Sequence, residues 1–308
     1  MSEIILQTEN LSKQYKQRWA VRNVNLEVRR GDVFGFLGPN GAGKSTTIRM
    51  ILSLIKPAEG TVELFGHNLF REREKALQNV AGIVEKPDFY LYLSAHRNME
   101  IAGAMTLGKK PEKKKILETL ASVGLEERAE DKVKTFSHGM KQRLGIAQAL
   151  LCEPQLILLD EPTNGLDPQG MKEVRELIAM LSGKRGITVF LSSHLLHEVE
   201  QVATRMAIIN NGRMIVQGSV DEILHASINT MFFDVEPKKK ALSVLQKLNC
   251  VTAPTLTNEG ITAQVAKKDI PKCIAALGSA RCKIYTVRPK QSLEEYFLAV
   301  TNNEEQHR

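Results

Sequence analysis

Short, uninterrupted apolar runs punctuate the first two-thirds of the chain. VFGFL (33–37), LILL (156–159), TVFLSS (188–193) and MAII (206–209) show no regular alternation of polar and apolar positions. Such brief, uniformly apolar runs predict strands covered on both faces, as in a largely parallel sheet. Between them the period becomes helical. After Lys44, the residues Ile48, Ile51, Leu52 and Ile55 recur at i, i+3, i+4 and i+7, which predicts a helix with one apolar face. IKPAEGTVELFG (55–66) then puts turn residues ahead of another strand.

Residues 86–153 differ in character. They carry helix patterns and no convincing strand beyond their entrance, which predicts a helical subdomain inserted between two strands of the main sheet. From Gly139 to Leu151 the residues Leu144, Ala147, Leu150 and Leu151 share one face, and Pro154 follows the end. The pattern restarts near 220–230. TMFFDV (230–235), GITAQVA (260–266) and CKIYTV (282–287) predict strands, KKALSVLQKL and IPKCIAALG helices: a small α+β unit. SLEEYFLAVT predicts an amphipathic helix with Leu293, Tyr296, Phe297 and Val300 on one side. The expected division is a first domain over 1–222, with its helical insert at about 86–153, and a second over 223–308.

Length and composition fit this picture. A chain of 308 residues with 43% hydrophobic content supplies a core for one larger and one smaller domain. No run of about 18 apolar residues occurs, so no membrane-spanning helix is expected. MSEIILQTENLSKQY lacks a basic stretch followed by a long apolar one, which predicts no secretory signal and a cytoplasmic protein. Cys152, Cys250, Cys273 and Cys282 form no CxxC and no zinc-like spacing with histidine, so reduced, mostly buried thiols are expected. The net charge of +7 is dispersed except in KKPEKKK (109–115) and PKKK (237–240). Each leads into a helix pattern; a solvated helix start is the plain reading of both, with lipid headgroups or nucleic acid as alternatives.

The chemistry begins at GPNGAGKST (38–46), which fits G-x-x-x-x-G-K-[ST] between a strand and a helix. Gly38, Pro39, Asn40, Gly41, Ala42, Gly43, Lys44, Ser45 and Thr46 together make a phosphate loop. Its glycines let backbone N–H groups turn inward where a Cβ would block the wrap. The helix N-terminus adds partial positive charge. The motif assigns Lys44 to the β- and γ-phosphates, Ser45 to Mg²⁺ and Thr46 to the α-phosphate. A second element is LILLDE (156–161), an apolar strand ending in two carboxylates. Asp160 is placed for Mg²⁺ and Glu161 to take a proton from an attacking water.

In this order the phosphate loop, helical insert, FSHGM (136–140), LILLDEPTNGLDP and LSSH resemble the nucleotide-binding subunits of ATP-binding cassette transporters, over residues 3–220. The resemblance implies a mixed, largely parallel α/β cassette of the phosphate-loop NTPase type with an inserted helical subdomain. The α+β unit is appended to it. It also implies Mg²⁺-dependent ATP hydrolysis, and head-to-tail pairing of two copies so that each FSHGM contacts the γ-phosphate held by the other. Ser137 and Gly139 match the phosphate-contacting positions, and a serine at a helix start is an anion site in its own right. Tyr15, in LSKQY before the first strand pair, matches the aromatic that stacks on adenine. Asp167 matches the loop crossing the dimer interface, and His194 the histidine that contacts γ-phosphate and orients water. The implied partner is a separate transmembrane permease at the cytoplasmic face of the membrane, with no specific nucleic acid.

Three departures stand out. His138 replaces the family's usual glycine, where it either approaches the partner's nucleotide or packs, and Met140 replaces its glutamine. Glu85 replaces the glutamine expected to touch Mg²⁺ and the attacking water; as a carboxylate it is a better metal ligand and a poorer neighbour for phosphate. A glutamate in IVEKPDFY, with FSHGMKQRLG, resembles the lantibiotic-immunity and bacitracin-resistance exporters. Export of another drug or lipid, or a soluble cassette ATPase acting on nucleic acid or ribosomes, stands as the alternative. The aromatic PDFYLYLSA (87–95) is either a docking groove for a permease helix or subdomain core.

Overall fold

The computed structural model describes residues 3–85, 87–223 and 230–289. It separates into two compact units, Met1–Gly218 and Ser219–Arg308. The helix expected at SLEEYFLAVT lies outside the described residues.

The first unit opens with strands the apolar runs did not announce. β1 (Ile4–Tyr15), β2 (Arg18–Val24) and β3 (Glu27–Arg29) precede β4 (Val33–Leu37). β1 pairs antiparallel with β2, β3 and β5 (Glu59–Leu64), and β5 with β6 (His67–Asn68). The main sheet is separate, six-stranded and ordered β11-β10-β4-β9-β8-β7, from β7 (Val80–Ile83), β8 (Leu156–Leu159), β9 (Thr188–Ser193), β10 (Arg205–Asn210) and β11 (Arg213–Ser219). Its pairs β10–β4, β4–β9, β9–β8 and β8–β7 are parallel. β4, β8 and β9 are buried along their whole length, as continuous apolar runs require. Phe34 stacks on Phe190 with ring centroids 5.4 Å apart, joining β4 to β9 in the core. Asn211 and Gly212, both at positive φ, turn β10 back into β11.

Helix α1 (Lys44–Ile51) follows the phosphate loop, and α2 (Arg73–Leu77) precedes β7. α1 is shorter than its periodicity predicts: Ser53 takes φ 55 and the chain leaves the helix before Ile55. Leu52 and Ile55 still pack against the core, so the apolar period outlasts the hydrogen-bonded helix. Between β7 and β8 stand α3 (Ala95–Leu107), α4 (Lys113–Ser122) and α5 (His138–Leu150). Leu144, Ala147, Leu150 and Leu151 are all buried there. α6 (Pro168–Arg185) runs from an Asp167 cap to Gly186 at φ 66, and α7 (Leu196–Glu200) follows β9.

The second unit has the order β12 (Thr230–Glu236), α8 (Lys238–Gln246), β13 (Val251–Leu256), β14 (Ile261–Val265), α9 (Ile270–Ser279) and β15 (Lys283–Pro289). Its antiparallel sheet is ordered β13-β14-β12-β15, a ferredoxin-like arrangement. β13 is an addition to the sequence reading. It is a mostly exposed edge strand containing Pro254, and a register shift falls between Thr252 and Thr255 around Ala253 at φ 48. Proline is tolerated at such an edge because it has no N–H to give to a ladder. Cys273 and Cys282 are buried and Cys152 and Cys250 half-buried, all as free thiols. Burial pushes the Cys273 thiol up to about 11.

Candidate active site

The site lies where β4 and β8 end and α1 begins. Gly43 holds φ 110 and ψ 3 as the residue preceding α1, a conformation that excludes ordinary L-residues. A Cβ on it would sit 2.6 Å from the Ala20 carbonyl oxygen, and one on Gly38 would sit 2.4 Å from that of Ile209. The loop is therefore wedged against β2 and β10 with backbone facing backbone. No side chain caps the start of α1. Thr47 Oγ1 donates to the Gly43 carbonyl at 2.9 Å, which closes the first turn from below.

Lys44 is 5% exposed. An ammonium has three donors and no acceptor. Here Nζ faces the carbonyl oxygens of Gly38 at 2.7 Å and Pro39 at 3.1 Å, and Glu161 Oε1 at 3.1 Å. Glu161 Oε2 lies 2.9 Å from His194 Nδ1. One carboxylate thus joins the phosphate-loop lysine to the histidine at the end of β9. Glu161 itself takes φ 47, uncommon for a residue with a Cβ. Its N–H donates to Ser192 Oγ at 2.9 Å, and that hydroxyl donates to Asp160 Oδ1 at 2.6 Å.

Ser192 is the residue the sequence reading missed. It is fully buried, and one hydroxyl fixes both the backbone of Glu161 and the side chain of Asp160. The available signal was a serine pair ending the otherwise apolar TVFLSS, on the strand beside LILL. Only the pairing of β8 with β9 shows which serine faces the acids.

The remaining expected positions separate into distinct places. Ser137 is exposed and caps α5, accepting from the Met140 N–H at 3.2 Å. His138 is exposed beside it, and Gly139 is buried where α5 meets α6. A Cβ on Gly139 would lie 3.3 Å from Gly170 Cα, so the helices approach backbone to backbone there. Asp167 accepts from the Gly170 N–H at 2.9 Å. Neither Ser137 nor Asp167 bonds to Lys44, Glu161 or His194. Tyr15 stands at the end of β1, not ahead of the strand pair; it is 47% exposed with Lys13 Nζ 5.4 Å from its ring centroid. Glu85 is directed to Arg49 of α1, with which it forms an ion pair, and its side chain is 70% exposed. In this structure it bonds to neither Asp160 nor Ser45 among the described residues.

The residues fit a nucleotide and a divalent cation on two grounds. The uncapped start of α1, closed by glycines, leaves N–H groups for phosphate oxygens. Asp160 and the Ser45 hydroxyl supply hard oxygen donors. Among the described residues no three metal-ligating side chains converge. A cation here would thus complete its shell with phosphate oxygens and water, the habit of Mg²⁺.

A glycine cradle, a buried lysine and paired carboxylates at the end of a parallel strand define a phosphate-loop nucleoside triphosphatase. The ABC transporter family model matches residues 21–164. A model described as an AAA domain, putative AbiEii toxin of a type IV toxin–antitoxin system, also matches residues 132–200. The bacitracin transport ATP-binding protein BcrA of Bacillus licheniformis is 44% identical over 243 residues, 79% of each chain. The lantibiotic transport ATP-binding protein SrtF of Streptococcus pyogenes is 41% identical over 217 residues, 70% of this chain and 92% of that one. An ATP-binding cassette solved as a dimer in a post-hydrolysis state with ADP and phosphate is 26% identical, covers 70% of this chain and 99% of its own, and superimposes with a TM-score of 0.63. The chain belongs to the ABC transporter family and is an ATP-hydrolysing, ATP-binding subunit.

Proposed function

We propose that this subunit drives an exporter of peptide antibiotics of the bacitracin or lantibiotic type. In this reading it works as a head-to-tail dimer at the cytoplasmic face of a membrane, beside a separate permease. The division of the site carries the dimer: Lys44, Glu161 and His194 converge, while Ser137 caps an exposed helix start and, among the described residues, its side chain bonds only within its own helix. The likeness to the bacitracin and lantibiotic proteins supports the cargo class.

Residue by residue, the loop N–H groups and Lys44 hold the ATP phosphates, with Lys44 exchanging Glu161 for phosphate oxygen. Tyr15 offers a ring face to the adenine. Glu161, released from Lys44, takes a proton from the attacking water. His194 stays bonded to the other carboxylate oxygen and orients that water. Ser137 and Gly139 of one copy meet the γ-phosphate held by the other, with Asp167 at the seam. Ser45 and Asp160 would hold a bound Mg²⁺, which would neutralise phosphate charge. Glu85 would sense the filled site: its carboxylate, paired with Arg49 here, would serve as a further oxygen ligand for the metal. Its segment reaches α5 directly: a Cβ on Gly145 would meet Pro87 at 2.8 Å. Beside it a cleft of about 500 Å³ is lined by Val84, Pro87, Ala102 and Gln148. Tyr90, Leu91 and Tyr92 are exposed nearby in the chain, which suits a docking surface for the permease.

The test is a trap. Glu161→Gln protein with Mg·ATP should run as a dimer in size-exclusion chromatography and revert when Ser137→Glu is added. A strictly monomeric Glu161→Gln protein at high concentration, with its permease present, would sink the dimer. Cells deleted for the gene should become several-fold more sensitive to bacitracin or a lantibiotic; unchanged sensitivity to both removes the cargo assignment.

A further inference from the structure

The second unit carries a cationic hollow that the nucleotide chemistry does not use. A cavity of about 600 Å³ is lined by Glu236, Pro237, Lys238, Lys239, Arg281 and Lys283. Two distant stretches of chain meet there: the PKKK that opens α8, and the α9–β15 turn. Lys239, Arg281 and Lys283 are exposed, and none forms an ion pair among the described residues. Lys238 Nζ is turned to the Asn258 carbonyl at 2.8 Å. The one acid, Glu236, accepts from the Tyr285 hydroxyl at 3.2 Å.

The placement works against the helix. Helix starts favour carboxylates and side-chain caps, because the N-terminal amides carry partial positive charge. α8 has neither: Pro237 precedes it, no side chain caps it, and its first three residues are lysines. Arg281 and Lys283 then add two further cations from β15 and its turn. A plain solvated helix start accounts for the lysines but not for this convergence. Local rules broken together at one place mark a site that an outside group completes.

We propose that this hollow binds a phosphate-bearing anion. A phosphodiester headgroup of an acidic lipid and a soluble phosphate share that chemistry, and the experiment separates them. Full-length protein is sedimented with phosphatidylglycerol vesicles and with phosphatidylcholine vesicles. In parallel it is titrated with inorganic pyrophosphate in a Lys44→Ala background that silences the phosphate loop. The variant is K239Q/R281Q/K283Q, all exposed positions; the control K134Q/K172Q/K184Q, exposed positions outside both lysine clusters, removes the same charge elsewhere. Near a membrane surface each Lys or Arg contributes enough that removing three should weaken phosphatidylglycerol binding on the order of 100-fold, with the control nearly unaffected. That result assigns a lipid headgroup. Pyrophosphate binding lost in the variant, without vesicle binding, assigns a soluble phosphate. Equal losses in variant and control, or no binding of either probe by the parent protein, overturn the site.

Discussion

Two helices of the cassette begin in opposite ways. α1 starts from Gly43 with no side-chain cap, over a buried Lys44; α5 starts from Ser137, which caps it, at an exposed corner. The first start is incomplete alone, because its N–H groups have no side-chain acceptor and its lysine makes do with loop carbonyls and Glu161. The second is stable alone, because the serine already accepts from the Met140 N–H. The difference assigns them different parts. One is a permanent cradle that a phosphate completes. The other is a self-sufficient surface; in the head-to-tail dimer proposed above, its cap would yield, or share its hydroxyl, when a second molecule brings a phosphate to it.

The largest effect should come from the acid that both Lys44 and His194 hold. Glu161→Gln removes the proton acceptor and should lower ATP hydrolysis by about 10²–10⁴-fold while nucleotide binding survives, read by single-turnover hydrolysis and by equilibrium binding. Retention of more than a tenth of the activity would move the base elsewhere. Next is the cradle. Gly43→Ala forces a Cβ into φ 110 and to 2.6 Å from the Ala20 carbonyl oxygen. Backbone strain of this kind costs about 1–3 kcal/mol, so the melting temperature should drop and nucleotide binding should fail. An unchanged melting curve would show that the loop can open from β2.

The capped helix should respond more mildly. Ser137→Ala loses a cap worth about 1 kcal/mol and should reduce hydrolysis steeply at low protein concentration, where pairing limits the rate, and less at high. Hydrolysis falling equally at all concentrations would count against a role at the partner's phosphate. The smallest expected change in stability is at Glu85. Its pair with Arg49 is mostly exposed, so Glu85→Gln should alter stability by less than about 0.5 kcal/mol and leave nucleotide affinity unchanged, while permease-stimulated hydrolysis shifts. If stimulation stays the same, Glu85 has no sensing role.

The residues whose chemistry depends on neighbours in sequence could be placed from the chain. The phosphate loop is one stretch, so the identity of Gly38–Thr46 and the helix behind it followed from spacing. Strands buried on both faces announced themselves because a parallel sheet leaves no polar positions. The antiparallel strands β1 to β3 did not, since a sheet with one wetter face mixes polar and apolar residues over a long span. Likewise β13 was hidden by its proline and bulge.

Glu85, Ser192 and the cationic hollow mark the other side of that division. Glu85 stands in a motif-like position, yet its carboxylate goes to Arg49, thirty-six residues earlier in the chain. Ser192 became part of the site only when β9 lay beside β8 and one hydroxyl could reach both acids. Lys239 and Arg281 are far apart in sequence and share a hollow because α8 and β15 adjoin β12. Sequence determined what each segment could hold, because local geometry and residue chemistry are carried by adjacent residues. Tertiary structure decided which groups act together, because a hydrogen bond or a charge cluster depends on distance through space, and distant segments acquire that distance only when the chain folds.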